Sequence, residues 1–129
     1  MKVSGFTFVR NGVKYDYPVV ESIRSILPVC DEMIVAVGNS DDGTRALIES
    51  MGSDKIKIID TVWDDTLREG GRVLAVETNK ALDAVSPDSD WCFYIQADEV
   101  FHEKDLVLIQ QAMLQHLPNR KVEGLVFEH

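Results

Sequence analysis

The sequence predicts an α/β domain, a mainly parallel sheet with alternating helices. Three observations carry that prediction. Short, nearly all-apolar runs recur along the chain, as strands buried on both faces require. Stretches with apolar residues at helical spacing lie between them. Polar, turn-forming clusters separate the two kinds. The order is strand, helix, strand, helix, strand, helix, strand, helix, strand, which right-handed crossovers assemble into a parallel sheet.

Val3 to Val9, VSGFTFV, is the first strand, closed by the turn Arg10-Asn11-Gly12. Pro18 suits the first turn of a helix. That helix is expected to reach Leu27, with Val19, Val20, Ile23, Ile26 and Leu27 inward and Pro28 closing it. Glu32 to Val37, EMIVAV, is the second strand. Gly38 to Thr44 is a polar turn in which Asp41 or Asp42 caps a short helix carrying Ala46, Leu47, Ile48 and Met51. Gly52-Ser53 ends it. Lys55 to Asp60 alternates and reads as a third strand nearer the sheet edge, followed by a loop to Gly71 holding Trp63, Asp64, Asp65 and Arg68.

Arg72 to Val85 is the clearest helix, with Leu74, Thr78, Ala81, Leu82 and Val85 on one stripe. Trp91 to Ile95, WCFYI, is an unbroken apolar and aromatic run, expected in the middle of the sheet and ending at Gln96-Ala97-Asp98-Glu99. Glu103 to Leu117 is a further helix, with Leu106, Ile109, Met113 and Leu117 inward. Val122 to Phe127 is the last strand.

The chain has 129 residues, 45% of them apolar and 27% charged, which supports one globular domain with a core of its own. A net charge of −9 argues against general affinity for nucleic acid. An anionic ligand needs a cation or backbone amides to offset that field. Cys30 and Cys92 sit in apolar surroundings and read as reduced core residues. No signal peptide is visible at Met1 to Arg10, and no apolar run nears the ~20 residues of a membrane span. A cytoplasmic domain with no membrane span is therefore expected. The chain stops directly after a strand-like segment, so residues 1–129 read as a single domain incomplete at its C-terminus. The sheet edge left at Val122–Phe127 is expected to drive self-association.

The motifs exclude several chemistries. There is no G-x-G-x-x-G, no Walker sequence and no G-x-S-x-G elbow. Neither cysteine has an activating neighbour in sequence. His102, His116 and His129 lack metal-ligand spacing. Asp98 is the notable acid, because open α/β sheets bind ligands at the carboxyl ends of their strands. One carboxylate there, with a ligand's phosphates, suits Mg²⁺ or Mn²⁺. The plainer alternative is that Asp98 and Glu99 are solvated loop acids or lead into a helix cap.

The order FTFVRN, IVAVGNSDDGT, GGRVLAVETNKALDAV, WCFYIQADEVF resembles the nucleotide-sugar half of a family 2 glycosyltransferase with the GT-A, Rossmann-like fold. Asp42-Gly43-Thr44 matches the turn after the family's second strand. Arg72 and Asn79-Lys80-Ala81-Leu82 match its helix motif. Asp98 falls where the second Asp of the Asp-x-Asp metal motif lies. The resemblance covers nearly the whole chain. It implies transfer of a sugar from a nucleotide-diphospho-sugar donor to an unknown sugar, lipid or protein acceptor, with a divalent metal (Mn²⁺ or Mg²⁺) as cofactor.

The resemblance also implies a site. Asp98 would contact the metal. Phe8, Arg10 and Asn39 would line the nucleoside pocket, with Asp41 or Asp42 near the ribose or base and Arg72 near the diphosphate. Asn79 reads as a buried amide joining its helix to a loop. Two departures stand out. Gln96 replaces the first Asp of the metal motif, and Val37-Gly38 stand where the family often has an acid that reads uracil. No catalytic base can be named, since the family carries it beyond the metal motif. Two other readings stay open: a degenerate GT-A-like binding module that no longer transfers sugar, and a nucleotidyltransferase, although Arg10-Asn11-Gly12-Val13-Lys14 is poor in glycine for a phosphate loop.

Overall fold

A computed structural model gives the fold, describing residues 1–63 and 72–118. Eight principal elements alternate: β1 (Val3–Val9), α1 (Val19–Ile26), β2 (Glu32–Val37), α2 (Thr44–Glu49), β3 (Ile56–Asp60), α3 (Arg72–Asp83), β4 (Trp91–Tyr94) and α4 (Glu103–His116). A single 3₁₀ turn at Leu27–Val29 follows α1. The four strands form one parallel sheet in the order β3-β2-β1-β4. The expected strand at Val122–Phe127, its proposed edge and the acids Asp64 and Asp65 with Arg68 lie outside the described residues.

Side chains alternate across the sheet, so each strand feeds two cores. On one face Val3, Val9, Met33, Val35 and Val37 meet α1 through Ile23 and Ile26, and α4 through Leu106, Ile109 and Met113. On the other, Phe6, Ile34 and Ala36 meet Ala81 of α3, with Phe8 and Val85 packed beside them. The result is a helix–sheet–helix sandwich, and β1 and β2 are its spine. Gly5 shows how close the layers lie. A Cβ there would stand 2.5 Å from Met33 Sδ and 3.2 Å from Ile26 Cδ1.

Glu32 ties the amino-terminal end of the sheet together. It is buried, yet it accepts hydrogen bonds from the Ser4 hydroxyl (2.7 Å), the Ser86 N–H (2.8 Å) and the Ser86 hydroxyl (3.0 Å), and pairs with Lys57 (2.9 Å). Burial pushes its carboxyl up, but these donors outweigh burial and hold it at about 2.

Five expectations need correction. The Trp91 strand is an edge strand among the described residues, because β1 and not β4 pairs with β2. Its faces follow suit: Phe93 is buried while Cys92 and Tyr94 are exposed, so Cys92 is no core residue. On α3 the buried residues are Glu77 and Ala81, and Leu74 and Leu82 are exposed. Glu77 can turn inward because it accepts from the Thr61 hydroxyl (2.5 Å) and pairs with Lys80 (2.6 Å), which satisfies a carboxylate that would otherwise stay in water. Asn79, one helical step off that stripe, is exposed, and so is Leu117 at the end of α4.

Candidate functional site

The carboxyl ends of β1, β2 and β4 open into one cavity of about 760 Å³. The loop after β1 forms one bank. It doubles back through residues 10–18 with Asn11 and Asp16 at φ +52° and +57°, the left-handed conformation that Asn and Asp enter more readily than other non-glycine residues. The loop after β2 holds this bank. Ser40 Oγ accepts from the Asn11 N–H (2.9 Å), Thr44 Oγ1 from the Val13 N–H (3.3 Å) and Asp42 Oδ2 from the Lys14 N–H (2.6 Å). In return Asn11 Oδ1 accepts from the Asp41 N–H (3.0 Å).

Asp42 also accepts from the Thr44 N–H (3.1 Å) and hydroxyl (2.5 Å) at the start of α2. Its carboxyl is burdened by partial burial, but the Thr44 and Lys14 donors prevail and lower its pKa. Asp42 is therefore the acid that serves α2, and Gly43 takes the left-handed conformation (φ +81°) that lets the chain turn into it.

The opposite bank is aromatic. Trp63, just past β3, folds back over the sheet. Its backbone N–H donates to Asn39 Oδ1 (3.1 Å), and its ring meets Phe8 edge-on at 6.0 Å. Phe8 in turn stacks on Tyr94 of β4, with ring centres 6.4 Å apart. The Arg10 guanidinium lies 5.5 Å from the Trp63 ring centre, and Arg10 Nε donates to the Asn39 carbonyl (3.1 Å). Burial raises the Tyr94 hydroxyl, a hydrogen bond with Thr78 opposes that, and Glu99 and Asp98 add to the rise. Tyr94 therefore stays protonated at neutral pH.

The turn after β4 completes the site. Gln96 donates its N–H to Glu99 Oε1 (3.0 Å), and Ser22 of α1 donates to the Gln96 carbonyl (2.9 Å). This fixes a tight turn that carries Asp98, exposed, to the cavity. His102 follows as the cap of α4, accepting from the Lys104 N–H (3.1 Å).

The structure brings Phe8, Arg10, Asp41 and Asp98 to one cavity, from three separate loops. It does not bring Asn39, Asp42 or Arg72 to its lining. Asn39 instead anchors Trp63 and Arg10, Asp42 serves the α2 cap, and Arg72 is an exposed first residue of α3. Trp63, Tyr94, Lys14, Tyr15, Tyr17 and Thr78 line the cavity without having been singled out as binding residues. Trp63 did carry a signal, a tryptophan in an otherwise polar loop. The others needed the fold.

Among the described residues no three His, Cys, Asp or Glu side chains gather into a metal-binding set. A cation held mainly by phosphate and water oxygens needs only one or two carboxylates from the protein. Asp98 meets that lesser demand, and with a bound diphosphate the residues fit Mg²⁺ or Mn²⁺.

No family model matches the chain, and no curated protein matches it. Solved structures do. The S. aureus TarS 1–349 structure in complex with UDP-GlcNAc superposes with a TM-score of 0.66 at 18% identity, over 90% of this chain and 32% of that one. The same protein with UDP gives 0.63 at 19% identity, over 90% and 33%. A longer S. aureus TarS structure gives 0.58 at 18%, over 90% and 20%. The shared fold is GT-A. The chain spans about a third of the length of the TarS 1–349 structures. Among its described residues no helix is long and apolar enough to cross a membrane.

Proposed function

We propose that this chain is the donor-binding part of a glycosyltransferase, taking a nucleotide-diphospho-sugar in the cavity at the carboxyl ends of β1, β2 and β4. One observation carries the reading. The cavity pairs an aromatic wall of Phe8, Trp63 and Tyr94 with Arg10, Lys14 and the carboxylate of Asp98, on a fold whose solved counterpart holds UDP-GlcNAc. A nucleoside presents a flat ring to stack, and a diphosphate presents charge for cations. A divalent cation bound by Asp98 and the diphosphate would offset charge on the departing nucleoside diphosphate. Within this chain no group is assigned as the base that activates an acceptor hydroxyl. The acceptor is a sugar, lipid or protein hydroxyl outside the cavity's description.

Calorimetric titration with UDP-GlcNAc and UDP, with and without Mn²⁺, tests the reading. Binding that strengthens at least tenfold with Mn²⁺ in the wild type, and loses that gain in Asp98→Ala, is the expected result. Failure of both ligands to bind at millimolar concentration would count against it.

A second reading, a domain that binds the donor without transferring sugar, draws on Gln96, which stands where the resemblance expects a metal-binding Asp. Release of free sugar from UDP-GlcNAc in the presence of Mn²⁺ would favour the enzyme over it.

A further inference from the structure

The end of β2 explains why no acid stands there. Gly38 is buried, and the Trp63 indole lies directly on it. A Cβ at Gly38 would stand 2.3 Å from Trp63 Nε1, 2.7 Å from Trp63 Cδ1 and 3.1 Å from Arg10 Cβ. No side chain fits between them without moving the ring. Asn39 holds the backbone that carries the ring: its Oδ1 accepts from the Trp63 backbone N–H at 3.1 Å, while the indole N–H, buried against Gly38, has no hydrogen-bond partner among the described residues. Phe8 and the Arg10 guanidinium close on the ring from β1, at 6.0 Å and 5.5 Å. The ends of β1 and β2 thus close on one ring carried by the end of β3, and the ring occupies the place from which a longer side chain at position 38 would reach a ligand.

Recognition at this end of the cavity then has a definite character. Its walls are ring faces: Trp63, Phe8 and Tyr94. Among the described residues, Asn39 Oδ1 and Asn11 Oδ1 are already accepting, from the Trp63 backbone N–H and the Asp41 N–H, and the Gln96 side chain, which also lines the cavity, is exposed to water. Asp41 is exposed, so water competes for any hydrogen bond its carboxylate makes. A site reads one base against another through buried, unshared donors and acceptors, whose mispairing costs several orders of magnitude. Stacking on aromatic faces is base-tolerant, because every base has a π-face.

We infer that Gly38 and Asn39 seat Trp63 as a stacking wall, so that the cavity takes nucleoside diphosphates with little preference among their bases. The inference rests on the donor-binding reading of the same cavity and goes further by naming what the site does not discriminate. Trp63 is the stacking residue, and Gly38 and Asn39 are positioning residues that act through it.

The test is a calorimetric series with UDP, CDP, ADP, GDP and inorganic pyrophosphate, in Mn²⁺, on the wild type, Trp63→Ala and Trp63→Phe. Circular dichroism checks that each variant is folded. The expected result is four nucleotides within about tenfold of one another, all tighter than pyrophosphate. Trp63→Ala weakens all four by a similar factor, about tenfold or more for a lost stacking partner. Trp63→Phe recovers most of that loss, and pyrophosphate binding is unchanged in both. A preference above a hundredfold for one base overturns the inference and leaves donor binding intact. So does a Trp63→Ala loss confined to one nucleotide, or no loss at all. Absence of binding by every nucleotide overturns the donor-binding reading and this inference together.

Discussion

Replacing Glu32 by glutamine tests the physical account of the fold at its most exacting point. The side chain keeps its shape and loses its charge. In the folded chain the carboxyl is held at about 2, against an ordinary value of 4.5. At about 1.4 kcal/mol per pH unit, that gap corresponds to about 3 kcal/mol of stability at neutral pH. The figure is an upper one, because Lys57 is well exposed and its share is screened. The Ser4 and Ser86 donors would still find an amide oxygen, but a neutral acceptor gives roughly half the strength of a charged one. The expected loss is about 2–3 kcal/mol, or a fall in Tm of about 10 °C for a chain of this size.

The pH dependence sharpens the test. A depressed carboxyl stabilises fully above its unfolded value and loses that contribution as pH falls through the folded value. The difference between wild type and Glu32→Gln should therefore be constant from pH 7 down to about 5. It should then narrow to under about 1 kcal/mol near pH 2.5. Urea unfolding followed by circular dichroism at a series of pH values measures it directly. A variant within 0.5 kcal/mol of wild type at pH 7, or a difference that stays level into acid, would refute the reasoning.

Two further outcomes follow from burial and close contact. Cys30 is buried, and burial pushes its thiol up to about 12, so a maleimide at pH 7.5 should modify Cys92 and spare Cys30 until the chain is unfolded; mass spectrometry counts the adducts, and two in the native state would contradict the burial of Cys30, while none would contradict the exposure of Cys92 on β4. Gly38→Ala should displace Trp63, costing about 1–3 kcal/mol as overpacking does and shifting tryptophan emission to longer wavelength, while Gly43→Ala, which meets no neighbour but has φ +81°, should cost stability without moving the emission.

Several elements were legible because their causes are local. Val3–Val9, with Val3, Phe6, Phe8 and Val9, and Glu32–Val37, nearly all apolar, read as strands and form them, and among the described residues they are the two inner ones. The spacing of Leu106, Ile109 and Met113 fixes the buried side of α4. The polar turn before α2 announced a cap; the N-cap position itself falls on Gly43, and Asp42 just before it accepts from the Thr44 N–H. The alternation of elements was enough to give the parallel sheet, since a crossover helix leaves the chain little choice of direction or hand.

The failures share a different cause. Leu74 and Leu82 were given the inner side of α3, because periodicity ranks a leucine above a glutamate. The inner side belongs to Glu77, whose partner Thr61 is 16 residues away. Trp91–Ile95 has the composition of a central strand, but composition says nothing about which strand lies beside which, and among the described residues it lies at the edge, beside β1.

The sequence by itself determined the class of fold and named Phe8, Arg10, Asp41 and Asp98, which line the cavity, together with Asn39, Asp42 and Arg72, which do not. Tertiary structure alone decided that the first four share a cavity, and that Asn39 supports its wall where a ligand contact had been expected. It alone gave Trp63 a seat on Gly38. Periodicity records how each element meets the core in general, through a hydrophobic effect without direction. A hydrogen bond or a missing Cβ acts over a few ångströms between residues far apart in sequence, and only the folded chain brings those partners together.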